Sequence, residues 1–64
     1  MKNIVKQERE RQNMSQEELS NKANVSRTII SGLENEKIDV ITNTTLERIA
    51  KALGKMVVDI FFID

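Results

Sequence analysis

The side chains that could perform chemistry in this chain are limited to carboxylates, amides, hydroxyls and cations. The sequence contains no histidine and no cysteine, so the commonest general base, thiol nucleophile and zinc ligands are all missing. Two adjacent carboxylates, Glu17 and Glu18, cannot act as an acid–base pair, because neighbouring residues on a helix point in different directions. We therefore interpret both as solvated surface groups and expect no enzymatic activity, no cofactor and no metal site.

The remaining residue types suit recognition better than catalysis, and the most informative ones follow Ser26. An arginine such as Arg27 can donate two parallel hydrogen bonds to one guanine, which is worth about 1–3 kcal/mol of discrimination between bases. Thr28 can donate or accept a hydrogen bond, or place its methyl group against thymine. Ile29 is open to two interpretations, a thymine-methyl contact or the edge of the hydrophobic core. Ser31 fits a phosphate contact or a solvated position better than a base contact.

These side chains must be positioned by short helices, whose starts are marked by capping residues. Ser15 with Glu18, and Thr44 with Glu47, match the capping-box pattern, and Ser26 is a third candidate N-cap. The absence of proline makes helix the default over most of the chain. The predicted helices begin near Gln16, Arg27 and Thr45, after an earlier one over about residues 3–12.

The ends of the helices are marked as clearly as their starts. Asn24 tolerates the left-handed conformation that a helix end requires, so the second helix should end there. Apolar residues spaced three and four apart run up to Leu53, and Gly54 closes that helix. Residues 56–63 are ambiguous, because their apolar spacing fits a helix whereas their β-branched and aromatic residues fit a strand. We predict a short helix there, with a short strand as the alternative.

Composition bounds the partners and the location of the protein. The chain has 64 residues, and its ten lysines and arginines balance ten aspartates and glutamates. That neutrality falls short of the strong basicity typical of nucleic-acid-binding domains, so any DNA binding must depend on local geometry. With 3% aromatic residues, stacking on single strands is disfavoured. No apolar run approaches the length of a membrane span or leader. We therefore expect one cytoplasmic domain over residues 1–64, with no membrane partner.

Residues 16–35 have the dimensions of a helix-turn-helix. A helix of about eight residues precedes a turn at 24–26 and a second helix, and apolar residues along both can pack them together. The chain resembles the phage-repressor-like, Cro/CI-type helix-turn-helix regulators, also called the xenobiotic-response-element family. The resemblance covers about residues 4–62, and its residues are Arg9, 14–19, 25–27, 30–35, 46–54 and 59–61.

The resemblance implies an all-α, compact five-helix fold like that of the lambda repressor, which binds a double-stranded DNA operator as a homodimer. The second helix of the helix-turn-helix would then enter the major groove. By position, Arg27 and Thr28 match the base-reading residues and Gly32 a third base-facing position, while Ile29 on the helix flank completes the candidate base contacts. The candidate phosphate contacts are Gln16, Ser26, Ser31, Asn35 and Lys37.

Two further groups of residues have structural roles. Arg9 and Glu34 match a partly buried ion pair that, in the family, ties the first helix to the end of the third; the alternative is a pair of ordinary surface charges. The apolar side chains of the tail are more than one small core can bury. The candidate dimer interface is therefore Val58, Phe62 and Ile63. The alternative for these three is that they complete the core of the monomer.

Two residues depart from expectation near the DNA-reading helix. Gly32 lies inside that helix, where glycine costs about 1 kcal/mol relative to alanine. It reflects either sequence drift or a close approach of the backbone to DNA, and in both cases residue 32 offers no side chain to a base. Glu36 stands where the family usually has glycine, which removes an easy left-handed cap and adds repulsion near phosphates.

The function predicted from these observations is sequence-specific binding of double-stranded DNA by a small transcriptional regulator, Cro-like and acting as a repressor. The alternative is a protein-interaction module on the same fold, such as an antitoxin or an anti-repressor. A chain of this length leaves no room for a ligand-sensing domain, so no small-molecule ligand is expected.

Overall fold

Five α-helices form within residues 1–61, the part of the chain that this computed structural model describes. The fold predicted from the sequence, an all-α five-helix domain, is confirmed. The helices are α1 (Val5–Arg11), α2 (Gln16–Ala23), α3 (Arg27–Glu34), α4 (Asn43–Ala52) and α5 (Val57–Ile60). No described helix is both long and apolar enough to cross a membrane.

The predicted caps of the helix-turn-helix are confirmed. The Ser15 hydroxyl accepts a hydrogen bond from the Glu18 amide at 3.0 Å, and the Glu18 carboxylate accepts one from the Ser15 amide at 2.9 Å. This reciprocal pair satisfies two amides that have no partner inside α2. Ser26 caps α3 in the simpler way, since its hydroxyl accepts a hydrogen bond from the Ile29 amide at 3.2 Å.

The predicted start of α4 was wrong by two residues. Thr42, not Thr44, is the N-cap, and its hydroxyl accepts a hydrogen bond from the Thr45 amide at 3.2 Å. With the cap at Thr42, Ile41 precedes it and Leu46 follows four positions later, which are the two places where apolar residues form a hydrophobic staple. Leu46 is buried and Ile41 packs against the core, so apolar packing selects Thr42 among the available threonines.

Four of the helices end in the same hydrogen-bonding pattern, in which the chain turns through a left-handed residue. The left-handed residues are Asn13, Asn24, Glu36 and Gly54, with φ between 55° and 70°. At each end the amide one position later bonds five residues back, as Val25 does to the Ser20 carbonyl at 3.0 Å. This is the Schellman motif, and it uses carbonyls that the helix itself leaves unpaired. The predicted ends at Asn24 and Gly54 are confirmed.

The two ends of the described chain meet. The predicted helix of the tail forms over α5 only, and Phe61 then becomes extended and makes an antiparallel bridge with Asn3. Beside it, the Ile4 amide donates to the Ile60 carbonyl at 2.9 Å. α1 therefore starts two residues later than predicted, because residue 3 belongs to this bridge and its side-chain oxygen accepts the Val5 amide at 3.1 Å. The rest of the predicted tail, residues 62 and 63, lies outside the described residues.

A single apolar cluster positions α3. In the described chain α2 packs against both α3 and α4, α1 packs against α3, and α5 packs against α4. Ile30 and Leu33 of α3 are fully buried in this cluster, and burial of each such side chain stabilises the fold by about 1.5–3 kcal/mol. The buried apolar residues are Val5, Leu19, Ala23, Ile30, Leu33, Leu46, Ile49, Ala50, Ala52, Leu53, Ile60 and Phe61.

Candidate nucleic-acid interface

One face of α3 is buried and the opposite face is open. Ile30 and Leu33 point into the core, whereas Arg27, Thr28 and Asn35 are exposed. This separation follows from the 3.6-residue turn, which places residues 27, 28, 31, 32 and 35 away from residues 30 and 33. The outward face is short, polar and available to a partner.

An open groove brings most of the predicted site residues together. It runs along the outward face of α3, between the start of α2 and the chain that leaves α3. Its lining residues are Gln16, Arg27, Thr28, Ser31, Gly32, Asn35 and Lys37. All seven belong to the predicted set of base and phosphate contacts, drawn from three separate stretches of sequence. The outward face of α3 and its flanks therefore form one continuous surface.

Two predicted contacts lie outside this groove. Ser26 is exposed, but its hydroxyl is occupied by the cap of α3. Ile29 is partly buried and packs against the core. It lines a small apolar pocket beside the groove with Ile38, Val40, Ile41, Thr42 and Thr45. Ile29 thus lies at the edge of the hydrophobic core, one of its two interpretations from the sequence; the other, a thymine-methyl contact, stays a prediction.

A buried ion pair fixes the end of α3 to α1. Arg9 Nε and Glu34 Oε2 lie 2.7 Å apart, and Arg9 Nη2 lies 3.0 Å from Glu34 Oε1. Only 11% of the Arg9 side chain and 3% of the Glu34 side chain are exposed. The remaining guanidinium nitrogen, Arg9 Nη1, donates to the Met14 carbonyl at 2.7 Å. This two-pronged geometry sets both distance and orientation between the helices.

Gln16 extends the ion pair toward the groove. Its side-chain nitrogen donates to Glu34 Oε1 at 3.1 Å. Its side-chain oxygen lies 3.5 Å from Arg27 Nε, at the long limit of a hydrogen bond. A chain of polar contacts thus runs from the buried Arg9 to the exposed Arg27. Gln16 therefore links the start of α2 to the end of α3 and lies beside the exposed Arg27.

The Glu34 carboxylate stays ionised in this setting. Its burial acts to raise its pKa, but hydrogen bonds from Arg9 and Gln16 and the nearby positive charges of Arg9 and Lys6 outweigh burial. The net pKa is lowered from its usual value. The charged form is therefore the one that the fold stabilises, and the carboxylate is committed to structure.

Gly32 lies against the loop that follows α3. A Cβ atom at this position would come within 2.6 Å of Ile38 Cδ1 and 2.8 Å of Ile38 Cγ1. Both distances are shorter than van der Waals contact, so Ile38 occupies the space that a side chain at 32 would need. The helix thus has a glycine here for a packing reason that neither sequence interpretation included.

The exit from α3 uses a strained residue. Glu36 adopts a left-handed conformation, with φ at 55°, although it is neither glycine nor asparagine. The Glu36 amide donates to the Leu33 carbonyl at 3.0 Å, and the Lys37 amide donates to the Gly32 carbonyl at 2.9 Å. The expected loss of a left-handed cap does not occur, because glutamate takes the conformation at an energetic cost.

Two cations of the groove have no carboxylate beside them. Among the described residues, the ion pairs within 4.0 Å involve Arg9, Arg11, Lys55 and the chain's amino group, but neither Arg27 nor Lys37. Since a buried or paired cation would be satisfied internally, these two remain able to bind an anion. The groove is locally basic on a neutral chain.

The predicted dimer interface is described only in part. Val58 lies on α5 and is 66% exposed, whereas Phe62 and Ile63 lie outside the described residues. Met56, its neighbour two positions earlier, is 70% exposed. Val58 therefore does not complete the core of the monomer.

Sequence reasoning missed three residues that shape the site. Ile38 and Val40 lie in the loop that follows α3, and Asn3 falls within the first helix predicted over about residues 3–12. The Asn3 side-chain nitrogen donates to the Leu33 carbonyl at 2.9 Å, which fixes the last turn of α3 from behind. The unusual glycine at 32 was a signal that a bulky neighbour packs there, but nothing in the pattern identified Ile38 as that neighbour.

Comparison with known families agrees with this geometry. A family described as helix-turn-helix matches residues 5–57, which include α1 through α4, the groove and the buried ion pair. The chain belongs to this family, the Cro/CI-type helix-turn-helix domains, which are DNA-binding regulators. No curated protein gave a match to the chain.

Proposed function

We propose that the protein is a transcriptional repressor that binds a specific double-stranded DNA operator through the major groove. The observation that carries this proposal is the groove along α3, where seven predicted contact residues meet on one outward face. An α-helix fits the major groove of B-DNA, where each base pair presents a distinct pattern of donors and acceptors. The DNA-reading helix is α3.

The base contacts are assigned to the first turns of this helix. Arg27 is exposed, begins α3 and is without a carboxylate partner among the described residues, so it can donate both guanidinium hydrogen bonds to one guanine. Thr28 is exposed next to it and offers a hydroxyl and a methyl group. Gly32 lines the same groove and Ile29 the apolar pocket beside it; both add apolar surface rather than hydrogen bonds.

The phosphate contacts surround these bases. Lys37 and Asn35 lie where the chain leaves α3, while Gln16 and Ser26 lie at the starts of α2 and α3, where helix amides attract anions. Ser31 lies between the two groups on the outward face. Phosphate contacts orient a protein on DNA without reading its sequence.

The repressor is proposed to act as a homodimer. Paired half-sites give a small domain the affinity that one short helix cannot supply, and they match a two-fold operator with half-site centres about 10 base pairs apart. The exposed Val58 supports an interface at the tail, together with Phe62 and Ile63 from the sequence. Because only a few cations face the DNA, the salt dependence of binding should be modest.

The test is selection of bound duplexes from a random pool, followed by anisotropy titrations of the winning duplex at two salt concentrations. An enriched inverted repeat and tight binding by a dimer are expected. Arg27→Ala should weaken the cognate duplex by about 1–3 kcal/mol and relax specificity at one position. Arg48→Ala is the matched control, since Arg48 is exposed on α4 and lines a different groove with Lys22 and Lys51.

Three outcomes would contradict the proposal. If a folded sample enriched no duplex, the protein-interaction alternative, an antitoxin or anti-repressor, would replace it, and the exposed Val40 and Val58 would be the first surfaces to map. If Arg27→Ala and Arg48→Ala weakened binding equally, α3 would not be the reading helix. If only half-sites were enriched, the homodimer would be wrong.

A further inference from the structure

The reading face of α3 contains a gap in its side chains. Arg27, Thr28 and Ser31 project from the helix into the groove, but at Gly32, one turn after Thr28, the groove is lined by backbone. A base opposite this position would meet no side chain from the helix. A protein that leaves that base pair uncontacted would lose affinity for DNA and discrimination between bases at that position.

Ile38 fills that gap from the following loop. Its Cδ1 atom lies 2.6 Å and its Cγ1 atom 2.8 Å from the place where a Cβ of residue 32 would stand. Apart from the residues next to Gly32 in the chain and the backbone of α3, no other atom of the described structure lies within 4 Å of that point. The isoleucine therefore takes the position of the missing helix side chain.

The surroundings of Ile38 are apolar and partly open. Ile38 is half-buried against the core, and it shares a pocket with Ile29 and Ile41. Val40, in the same pocket, is 93% exposed. Gly32 lines the polar groove, and it lies against Ile38, which lines this apolar pocket. The loop after α3 therefore borders the groove where Ile38 packs beside Gly32.

We propose that Ile38 is a specificity-determining residue whose terminal methyl group contacts the methyl group of a thymine opposite Gly32. The inference rests on the proposed function, because it assigns a base to the same surface. Thymine alone presents a methyl group in the major groove, next to its O4 acceptor, whereas the other bases present only donors and acceptors that an apolar side chain cannot satisfy. Burying those polar atoms against Ile38 would leave them without partners, so thymine is selected.

The proposal also explains why α3 keeps its glycine. An alanine at 32 would stabilise the helix, but its methyl group would collide with Ile38. With glycine, a longer side chain from outside the helix reaches the same place. The loop, rather than the helix, then carries the apolar base contact.

The test uses deoxyuridine, which is thymine without its methyl group. Each thymine of the selected duplex is replaced in turn by deoxyuridine, and binding is measured by anisotropy. The proteins compared are the wild type and Ile38→Val, in which the side chain is one carbon shorter because Cδ1 is removed. In the wild type, one replacement should weaken binding about fourfold, the factor expected from the loss of one buried methyl group. Ile38→Val should bind the thymine duplex more weakly by a similar factor, and its binding should not change when uracil replaces thymine at that position.

Matched variants separate this contact from a general effect on folding. Ile41→Val removes the same group from a neighbouring isoleucine of the same pocket and should retain the wild-type response to uracil. The pair Gly32→Ala with Ile38→Ala returns a methyl group to the helix and should recover part of the thymine preference. Thermal unfolding of each variant checks that α3 is intact.

The outcomes distinguish this inference from the proposed function. If the wild type binds a specific duplex but no thymine is sensitive to uracil, or if Ile38→Val keeps the wild-type sensitivity, Ile38 does not read a base and the inference alone is overturned. If the folded wild type binds no duplex specifically, both are overturned. Coupling between Ile38 and one thymine methyl group supports both.

Discussion

The two flanks of α3 are built in opposite ways. The polar flank consists of Arg9, Gln16, Arg27 and Glu34, joined by hydrogen bonds between 2.7 and 3.5 Å. The apolar flank consists of Ile29, Gly32 and Ile38, which are held by packing, with the exposed Val40 beside them. One flank is held by directed charge-assisted bonds, and the other by shape.

This difference affects what each flank can tolerate. A charge-assisted bond depends on both partners, so loss of one leaves a buried charge that nothing compensates. Apolar packing has no direction, and it tolerates changes of side chain when the total volume is kept. We infer that the polar flank fixes the position of α3, while the apolar flank is where side chains can be changed without loss of the fold.

Removal of Arg9 should have the largest effect. Arg9→Met keeps much of the side-chain volume but leaves the buried Glu34 carboxylate without its partner, which costs about 3–5 kcal/mol. A domain of this size has a total stability of the same order, so the variant should be largely unfolded at 37 °C by circular dichroism. Arg11→Met is the control, because Arg11 is 62% exposed in its ion pair with Glu8 and should change the melting temperature little. Equal effects of the two would remove the contrast between the flanks.

Acid should weaken the polar flank from the carboxylate side. The pKa of Glu34 is lowered in the folded protein, so its contribution to the free energy of unfolding is fully present above the unfolded value of about 4.3 and is lost as the pH falls through the folded value. Urea unfolding between pH 6 and pH 3 measures this loss. Glu34→Gln should be less stable at pH 6 yet lose less stability toward pH 3. An unchanged pH slope would show that Glu34 is not the titrating group.

On the apolar flank, Gly32 and Ile38 should be strongly coupled. Gly32→Ala alone gains about 1 kcal/mol of helix propensity but loses about 1–3 kcal/mol to overpacking against Ile38, so a net destabilisation is expected. In an Ile38→Ala background the same change should stabilise by about 1 kcal/mol. Urea unfolding of the four proteins gives the coupling energy. Gly54→Ala is the control, because a Cβ there meets open space while φ is 70°. It should lower the free energy of unfolding by the same amount with Ile38 or with Ala at position 38.

Relief of strain at the exit of α3 should have the smallest effect. Glu36→Gly removes the strain of a left-handed glutamate but adds the entropic cost of glycine. The free energy of unfolding should therefore rise by about 0.5–1 kcal/mol. Asn13→Gly, at a residue with φ of 56°, should gain less because asparagine tolerates this conformation better. If the proposed function is correct, Glu36→Gly should also bind DNA more tightly, since a negative charge next to Lys37 is removed. A loss of stability would mean that the Glu36 side chain makes a favourable contact.

The polar flank and the helix ends were predictable because their signals are local or resemble a known family. Ser15 with Glu18, Ser26 and Asn24 each act within a few residues, so sequence spacing alone indicates what they bond. Arg9 and Glu34 are 25 residues apart, and only the resemblance linked them. The outward residues of α3 followed from helical periodicity once its start was known, whereas Gln16 of α2 entered the candidate site through the resemblance.

The apolar flank could not be predicted, because it depends on the path of a loop. The packing of Ile41 and Leu46 decides which threonine caps α4, among residues 42, 44 and 45. The position of this cap sets where the loop ends. The approach of Ile38 to Gly32 then follows from the left-handed turn at Glu36. Neither propensity nor spacing encodes such contacts, since apolar packing has no directional signature in sequence.

The junction of Asn3 with Phe61 has a consequence for how the protein opens. The Ile4 amide bonds to the Ile60 carbonyl at 2.9 Å, and the segments it joins are separated by nearly the whole described chain. Closing so long a loop costs entropy that the packing of the intervening helices must offset, so we expect this bond to depend on the packed fold. Deuterium exchange at the Ile4 amide should therefore follow global unfolding, whereas amides near the exposed Val40 should exchange by local fluctuation. A single backbone hydrogen thus provides an internal measure of the stability of the whole fold.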